Sequence, residues 1–288
     1  MTKIQNPARH ITILLLGITG ISFAPIFVRY SQVSPSAIAF WRVTISAIIL
    51  GVIFFSYKRK TLATKKISWI YLLLPGVFFA GDLALWHSSI KMTSVANATL
   101  FANFACIFVT IVSWKWFGER ITWRFVLGAV CAVIGVIVLL GVNIGNAKYL
   151  QGDILGLLTA LFYASYILSI KKLREYYGAL QIMFFSSSAC SLCLLPTLLQ
   201  DNSIPNTIQE WSVLFALAVV SHCIGQGLIA YALAKLAASF SSVSLLLQPT
   251  LAAIWAWLLL SEPLSSIQIL GGGIVLLGIY FARKGQTS

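Results

Sequence analysis

Apolar segments long enough to cross a membrane follow one another along almost the entire chain. A spanning helix needs about 20 mostly apolar residues, and in lipid only helices and closed barrels satisfy every backbone group. The period-two alternation typical of outer-membrane barrels is not found in this sequence. The predicted fold is therefore an all-α integral membrane protein. Its ten transmembrane helices are expected at residues 11–30, 36–57, 68–90, 94–116, 122–141, 152–171, 179–199, 210–232, 239–260 and 265–283.

Composition and charge exclude soluble and nucleic-acid-binding proteins. Of the 288 residues, 59% are hydrophobic and 9% are charged, whereas a soluble domain carries roughly 25% charged residues. The mean hydropathy is +0.91. The net charge of +13 is spread over short clusters between the apolar segments. We therefore expect membrane lipid as a partner and no nucleic acid.

The basic residues predict an orientation, because cytoplasmic loops carry an excess of Lys and Arg. If the N-terminus is cytoplasmic, 16 of the 20 basic residues fall on the cytoplasmic side. We therefore predict a multi-pass protein of the inner membrane with both termini in the cytoplasm. The cytoplasmic residues are Lys3, Arg9, Lys58, Arg59, Lys60, Lys65, Lys66, Lys115, Arg120, Arg124, Lys171, Lys172, Arg174, Lys235, Arg283 and Lys284.

The two halves of the chain resemble each other, and they predict an inverted repeat. Helices 3 to 5 match helices 8 to 10 at an offset of 144 residues, which becomes 143 further along. We assign residues 11–141 and 152–283 to two five-helix repeats. Because five is odd, the second copy enters the membrane upside down. The matched pairs are Gly81 and Gly225, Asp82 and Gln226, His87 and Tyr231, Lys91 and Lys235, Trp114 and Trp257, Glu119 and Glu262, Gly128 and Gly271, and Gly135 and Gly278.

Inverted repeats favour a transport function. They give a protein two related packings around a site near the middle of the membrane, which is the basis of alternating access. We therefore expect a small-molecule substrate in a cavity at mid-depth. The sequence leaves proton coupling, substrate exchange and facilitated diffusion open as driving forces.

The ends of the two halves resemble the drug/metabolite transporter superfamily, in particular its ten-helix EamA-type branch. The matching stretches are Trp114 to Thr122, with Glu119, and Ser261-Glu262-Pro263-Leu264. Arg42 also matches an arginine that the family has in its second helix. The resemblance implies export of small metabolites, often amino acids or other small polar compounds. One departure is Cys106, which stands opposite Pro249 where the family often has proline.

Asp82 and Arg42 are the foremost candidate site residues, because a charge at mid-membrane costs about 2.5–3.5 kcal/mol on insertion scales. At 1.5 Å per residue, Asp82 lies about 12 Å and Arg42 about 9 Å from the outer ends of their predicted helices. The matching depths allow an ion pair. Either this pair fixes helix packing, or Asp82 binds a proton or a substrate cation.

Further polar and aromatic side chains inside the predicted helices are candidates for binding substrate or protons. Each is also suited to a plainer role in packing or hydrogen bonding between helices. The remaining candidates are His87, Asn97, Asn103, Tyr163, Tyr166, His222, Gln226, Ser244 and Gln248.

Small residues line predicted helices 5 and 10, and such spacings permit close approach of two backbones. We interpret them as contacts between the halves or in a homodimer. The five cysteines lie in apolar segments without the partners of a metal site, so neither metal nor cofactor is expected. The small residues are Gly128, Ala129, Ala132, Gly135, Gly271, Gly272, Gly273 and Gly278.

The leading functional prediction is a secondary transporter that exports amino acids or related amphipathic and aromatic metabolites. Efflux of drugs and toxic compounds by the same fold is the alternative within transport. An intramembrane hydrolase is a third hypothesis, with Ser22 as nucleophile and His87 or His222 as base. We expect no enzymatic activity, since nothing in the sequence brings such a base to Ser22.

Overall fold

A computed structural model describes residues 7–56, 68–141, 149–201 and 203–286. Ten helices within these ranges are long and apolar enough to cross a membrane, which confirms the predicted fold class, and their ends differ from prediction by at most three residues. The basic residues Lys3, Lys58, Arg59, Lys60, Lys65, Lys66 and Lys148, which entered the orientation argument, lie outside the described ranges. The helices are α1 (Ala8–Tyr30), α2 (Pro35–Ser56), α3 (Trp69–Met92), α4 (Val95–Trp116), α5 (Trp123–Leu140), α6 (Leu150–Leu173), α7 (Ala179–Leu199), α8 (Ile208–Ala232), α9 (Ala238–Leu260) and α10 (Ser266–Gly285).

Short polar side chains mark where several helices begin. Thr122 caps α5 by accepting a hydrogen bond from the backbone N–H of Phe125, and Ser94 caps α4 in the same way. Thr207 and Ser265 each take part in a capping box, at the starts of α8 and α10. These side chains satisfy N–H groups that have no partner within a helix.

Four of the helices are interrupted, one of them α3, where Leu73 separates a 3₁₀ turn, Trp69–Leu72, from the α-helix Leu74–Met92. The break in α1 is at Phe23, two residues before Pro25. α4 consists of Val95–Asn103 and Ala105–Trp116, and α9 of Ala238–Ser244 and Leu247–Leu260. α4 therefore breaks just before Cys106, although it lacks the proline that α9 has nearby.

α8 changes its hydrogen-bonding pattern along its length. The central stretch Leu217–Gln226 is π-helical over ten residues, between the α-helical segments Ile208–Ala216 and Gly227–Ala232. π-helical turns are rare and occur frequently at functional sites. The stretch contains two predicted site residues, His222 and Gln226.

The helices pack into two compact units, Met1–Ala84 with Ser165–Leu236, and Leu85–Ala164 with Ala237–Ser288. Each unit combines segments from both halves of the sequence. The division by packing is therefore not the division into predicted repeats, and the repeats at 11–141 and 152–283 stay a prediction.

In the first unit, α2 packs on α7 and α1 packs on α8. Glycine lets two of these helices come close, because a Cβ built on Gly17 would lie 2.9 Å from the carbonyl oxygen of Gly225. One small core cluster consists of Val33, Ala37, Ile38, Leu214 and Leu217. These contacts hold the π-helical stretch of α8 against its neighbours.

In the second unit, α5 and α10 form the closest helix pair. A Cβ on Gly128 would lie 2.2 Å from the backbone nitrogen of Ala282, and one on Gly135 would lie 2.6 Å from that of Val275. The small-residue faces therefore meet each other within the chain, as the first of the two interpretations proposed. A homodimer through these helices stays a prediction.

This packing makes a testable contrast between two glycines. We expect Gly128→Leu to lower the thermal midpoint of the purified protein in detergent, because overpacking typically costs about 1–3 kcal/mol. Gly273→Leu is the control, since a Cβ on Gly273 meets nothing within 4 Å. The midpoints are measured by fluorescence-detected size exclusion after heating. Equal midpoints for the two variants would contradict this account of the α5–α10 contact.

Candidate functional site

Five of the predicted site residues lie in the first unit, on four different helices. Arg42 is on α2, Asp82 on α3, Tyr166 on α6, and His222 and Gln226 on α8. Asp82, Tyr166, His222 and Gln226 are buried, and Arg42 is half-buried. Residues far apart in the sequence thus form a polar group inside an apolar unit.

Phe79 lies at the centre of this group. The guanidinium carbon of Arg42 lies 5.5 Å from the centre of its ring. The ring of Tyr166 stacks on it at 4.7 Å, and the ring of His222 lies 5.5 Å away. We call Arg42, Phe79, Asp82, Tyr166 and His222 the Phe79 cluster.

Sequence analysis did not select Phe79. The signal was its position three residues before Asp82, which places both on one face of α3. A phenylalanine in an apolar helix is otherwise ordinary, so only the proximity of a charged residue distinguishes it. Its ring is almost fully buried, with 3% exposed.

Hydrogen bonds tie the cluster to α7 and along α8. The hydroxyl of Ser187 lies 2.9 Å from Nε2 of His222, and the hydroxyl of Tyr166 donates to Oε1 of Gln226 at 3.4 Å. Nδ1 of His222 is buried and has no hydrogen-bond partner among the described residues. A buried polar atom of this kind costs about 1–3 kcal/mol, which makes it a candidate contact for a ligand.

Arg42 and Asp82 give the cluster a base and an acid. The guanidinium of Arg42 lies over the ring of Phe79, and Asp82 follows Phe79 by three residues on the same face of α3. Opposite charges in a low dielectric attract strongly enough to offset part of the cost of burying them, so these two residues suit one polar site.

The other six predicted site residues lie in the second unit. Asn103 donates to the carbonyl of Thr99, and Ser244 donates to the carbonyl of Phe240, each within its own helix. The ring of His87 lies 5.3 Å from that of Trp86. Tyr163 and Gln248 are half-buried.

Asn97 belongs instead to a buried polar contact that sequence analysis missed. Oδ1 of Asp153 accepts hydrogen bonds from Thr93 at 2.8 Å and from Asn97 at 3.2 Å. Asp153 is in the first turn of α6, where a negative charge is favourable, and only 8% of it is exposed. In the sequence, Asp153 lies next to a predicted loop, so its burial was not expected.

The comparisons with known proteins identify the family. The model of the EamA-like transporter family matches residues 9–141 and residues 150–283. The chain belongs to the EamA-like transporter family. It is therefore a multi-pass membrane protein that transports small molecules, like the drug/metabolite transporters that it resembles.

Similar proteins agree with this assignment. The pseudopaline exporter CntI of Pseudomonas aeruginosa is 27% identical over 205 residues, which cover 71% of this chain and 72% of CntI. A probable terminal-alkyne amino-acid exporter of Streptantibioticus cattleyicolor is 26% identical over 190 residues, or 65% of this chain and 64% of that protein. A solved crystal structure at 18% identity superposes with a TM-score of 0.83 over 96% of both chains, which shows the shared fold.

Membership of the EamA-like family also decides between transport and catalysis. The chain is a transporter and not an enzyme, so the hydrolase hypothesis was wrong. Ser22, the nucleophile of that hypothesis, donates its hydroxyl hydrogen to the carbonyl of Thr19 at 2.7 Å, a common bond within a helix.

The Asp153 contact predicts a difference between two substitutions. Asp153→Ala leaves the buried groups of Thr93 and Asn97 without this acceptor, which costs about 1–3 kcal/mol for each unsatisfied group. We expect a clearly lower thermal midpoint in detergent. Asp153→Asn keeps an acceptor oxygen and should stay close to wild type. If both variants melted together with the wild type, the contact would not contribute to stability.

Proposed function

We propose that this EamA-like transporter exports small amphipathic metabolites that carry an amino-acid group, by alternating access across the inner membrane. The Phe79 cluster is the proposed binding site. The observation that carries the proposal is the position of the Arg42 guanidinium over the ring of Phe79, on which Tyr166 stacks, with Asp82 three residues further along the same face of α3. These are the groups that complement a zwitterion with an apolar side chain.

The chemistry of the cluster supports this substrate class. The guanidinium of Arg42 suits a carboxylate, since its planar fork can bind both oxygens. The carboxylate of Asp82 suits an ammonium group. Phe79 and Tyr166 offer ring faces to apolar groups and to cations. Nδ1 of His222 adds a polar contact, since none of the described residues bonds to it.

Two relatives support export of this class. One is named for exporting pseudopaline and the other for exporting terminal-alkyne amino acids. The second name contains the amino-acid group that the two charges of the cluster would bind. Transfer of that substrate class to this chain is part of the proposal.

Alternating access is supported by a backbone feature that recurs in both halves. At the end of α4 the N–H of Glu119 donates to the carbonyl of Ser113 at 3.1 Å, and at the end of α9 the N–H of Glu262 donates to that of Ala256 at 3.3 Å. These two turns lie at matching positions of the predicted repeats. The same local fold at matching positions is what an inverted repeat requires.

The proposed orientation places both termini in the cytoplasm. Lys171, Lys172 and Arg174 at the end of α6, and Arg283 and Lys284 at the end of α10, would then be cytoplasmic. A C-terminal fusion to alkaline phosphatase should be inactive, and a fusion to green fluorescent protein should fluoresce. The opposite pair of results would overturn the orientation.

Proteoliposomes test the substrate class and the site together. We expect the wild type to take up radiolabelled phenylalanine, tyrosine or methionine saturably, and Asp82→Asn to reduce uptake at least about tenfold through loss of a charge-assisted contact. Asp153→Asn is the control, because it neutralises an acid of the second unit.

The outcomes of this assay separate the hypotheses. Wild-type rates in folded Asp82→Asn would remove Asp82 from the site. Saturable uptake of ethidium and other cationic drugs, without uptake of any amino acid in the panel, would favour multidrug efflux over the proposed substrates.

A further inference from the structure

The first turn of α9 obtains a helix cap from another loop. α9 begins after Ala237, whose side chain makes no capping hydrogen bond. Glu119, between α4 and α5, takes this role: Oε1 accepts from the backbone N–H of Ala238 at 2.6 Å, and Oε2 accepts from that of Ser239 at 3.1 Å. The hydroxyl of Ser239 donates to the same Oε2 at 2.5 Å. We call Glu119, Ala238 and Ser239 the Glu119 clasp, and all three belong to the second unit.

The turn that presents Glu119 has a counterpart in the other half of the chain. α4 is followed by Gly118 in the left-handed conformation, with φ of 66°, and α9 is followed by Ser261, with φ of 56°. A glutamate comes next in both cases, Glu119 or Glu262. Left-handed serine is costly relative to glycine, so the recurrence at Ser261 indicates that this turn is specifically maintained.

The two helices that end in these turns, α4 and α9, begin differently. α4 begins with Ser94, whose hydroxyl accepts the N–H of Asn97 at 3.0 Å. Its first turn is therefore capped by its own N-cap residue. α9 has alanine at the N-cap, and its first turn obtains a carboxylate from Glu119.

From this asymmetry we infer that Glu119 is a gating residue that acts at one face of the membrane. The inference rests on the proposed alternating access. The clasp holds the start of α9 against the α4–α5 loop in one conformation and opens in the other. It acts on the helix start that has no capping side chain of its own, since α9 begins after alanine and α4 begins with a capping serine.

The chemistry of the clasp suits a contact that opens and closes. A carboxylate at a helix N-terminus gains from charge-assisted hydrogen bonds and from the helix dipole. Glu119 is half-buried at the end of a helix, where water can replace its partners when the clasp opens. A carboxylate buried in the lipid core would have no such replacement.

A self-capped α9 separates gating from simple capping. Ala237→Ser places a serine at the N-cap, a preferred capping residue without a charge that would repel Glu119, and should make α9 stable without Glu119. A Ser241→Cys thiol, one turn further along α9, serves as the reporter in a background whose native cysteines are replaced. The Ala237→Ser protein and the Ala237→Ser, Glu119→Ala protein are labelled with a membrane-impermeant maleimide, applied in turn to each face of oriented vesicles.

If Glu119 gates α9, the protein that lacks Glu119 is labelled several-fold faster from the face that carries the α4–α5 loop. Equal rates from that face would mean that Glu119 only caps the helix, and would overturn the inference. Should the alanine variant fail to fold, Glu119→Gln, which removes the charge and keeps the shape, takes its place in the same comparison.

The labelling experiment needs no substrate, so its result is distinguishable from failure of the proposed function. Faster labelling without amino-acid transport by any variant would overturn the proposed substrate and retain the clasp. Amino-acid transport by the wild type together with equal labelling rates would retain the substrate and overturn the clasp.

Discussion

Inside a bilayer no water is present to bond with polar groups, so each buried polar atom of this transporter needs a partner in the protein itself. The backbone meets this requirement by forming helices, and the helix ends meet it with side chains. Thr122 is an example of double use: its hydroxyl accepts the N–H of Phe125 at the start of α5 and donates to the carbonyl of Gly285 at the end of α10. One hydroxyl group thus caps α5 and also joins α5 to α10.

The same requirement distinguishes the two groups of buried polar residues. Asp153 has two donors close to it, Thr93 and Asn97, as a residue with a structural role should. In the Phe79 cluster, Nδ1 of His222 is buried and has no partner among the described residues. A site that binds and releases a polar substrate needs such a group, since a fully paired group has nothing left to offer.

The sequence predicted the elements that depend on composition over many residues. The ten helices follow from the length of the apolar segments, and the α5–α10 contact follows from the spacing of Gly128, Gly135, Gly271 and Gly278. The matching depths of Arg42 and Asp82 predicted an ion pair, which stays a prediction. Phe79 and Asp153 were missed because their importance comes from neighbours on other helices. The π-helical stretch of α8 was missed because the hydrophobic pattern of its residues is that of any apolar helix.

The breaks in α4 and α9 show that proline alone does not account for helix interruptions in this protein. Pro249, in the first turn of the second segment of α9, cannot donate a backbone hydrogen bond and so fits a helix start. Cys106 stands at the matching position of α4 and imposes no such restriction, yet α4 is interrupted at Phe104, where the N–H of Phe104 bonds to the carbonyl of Phe101. Proline is therefore not the cause that the two halves share. Proline lowers the cost of the interruption in α9 only. Discontinuous helices at corresponding positions in two halves are the usual framework of a transport site, and in α9 the break leaves a seven-residue first segment, Ala238–Ser244. A segment so short is marginal as a helix by itself, and the carboxylate of Glu119 satisfies two of its first N–H groups.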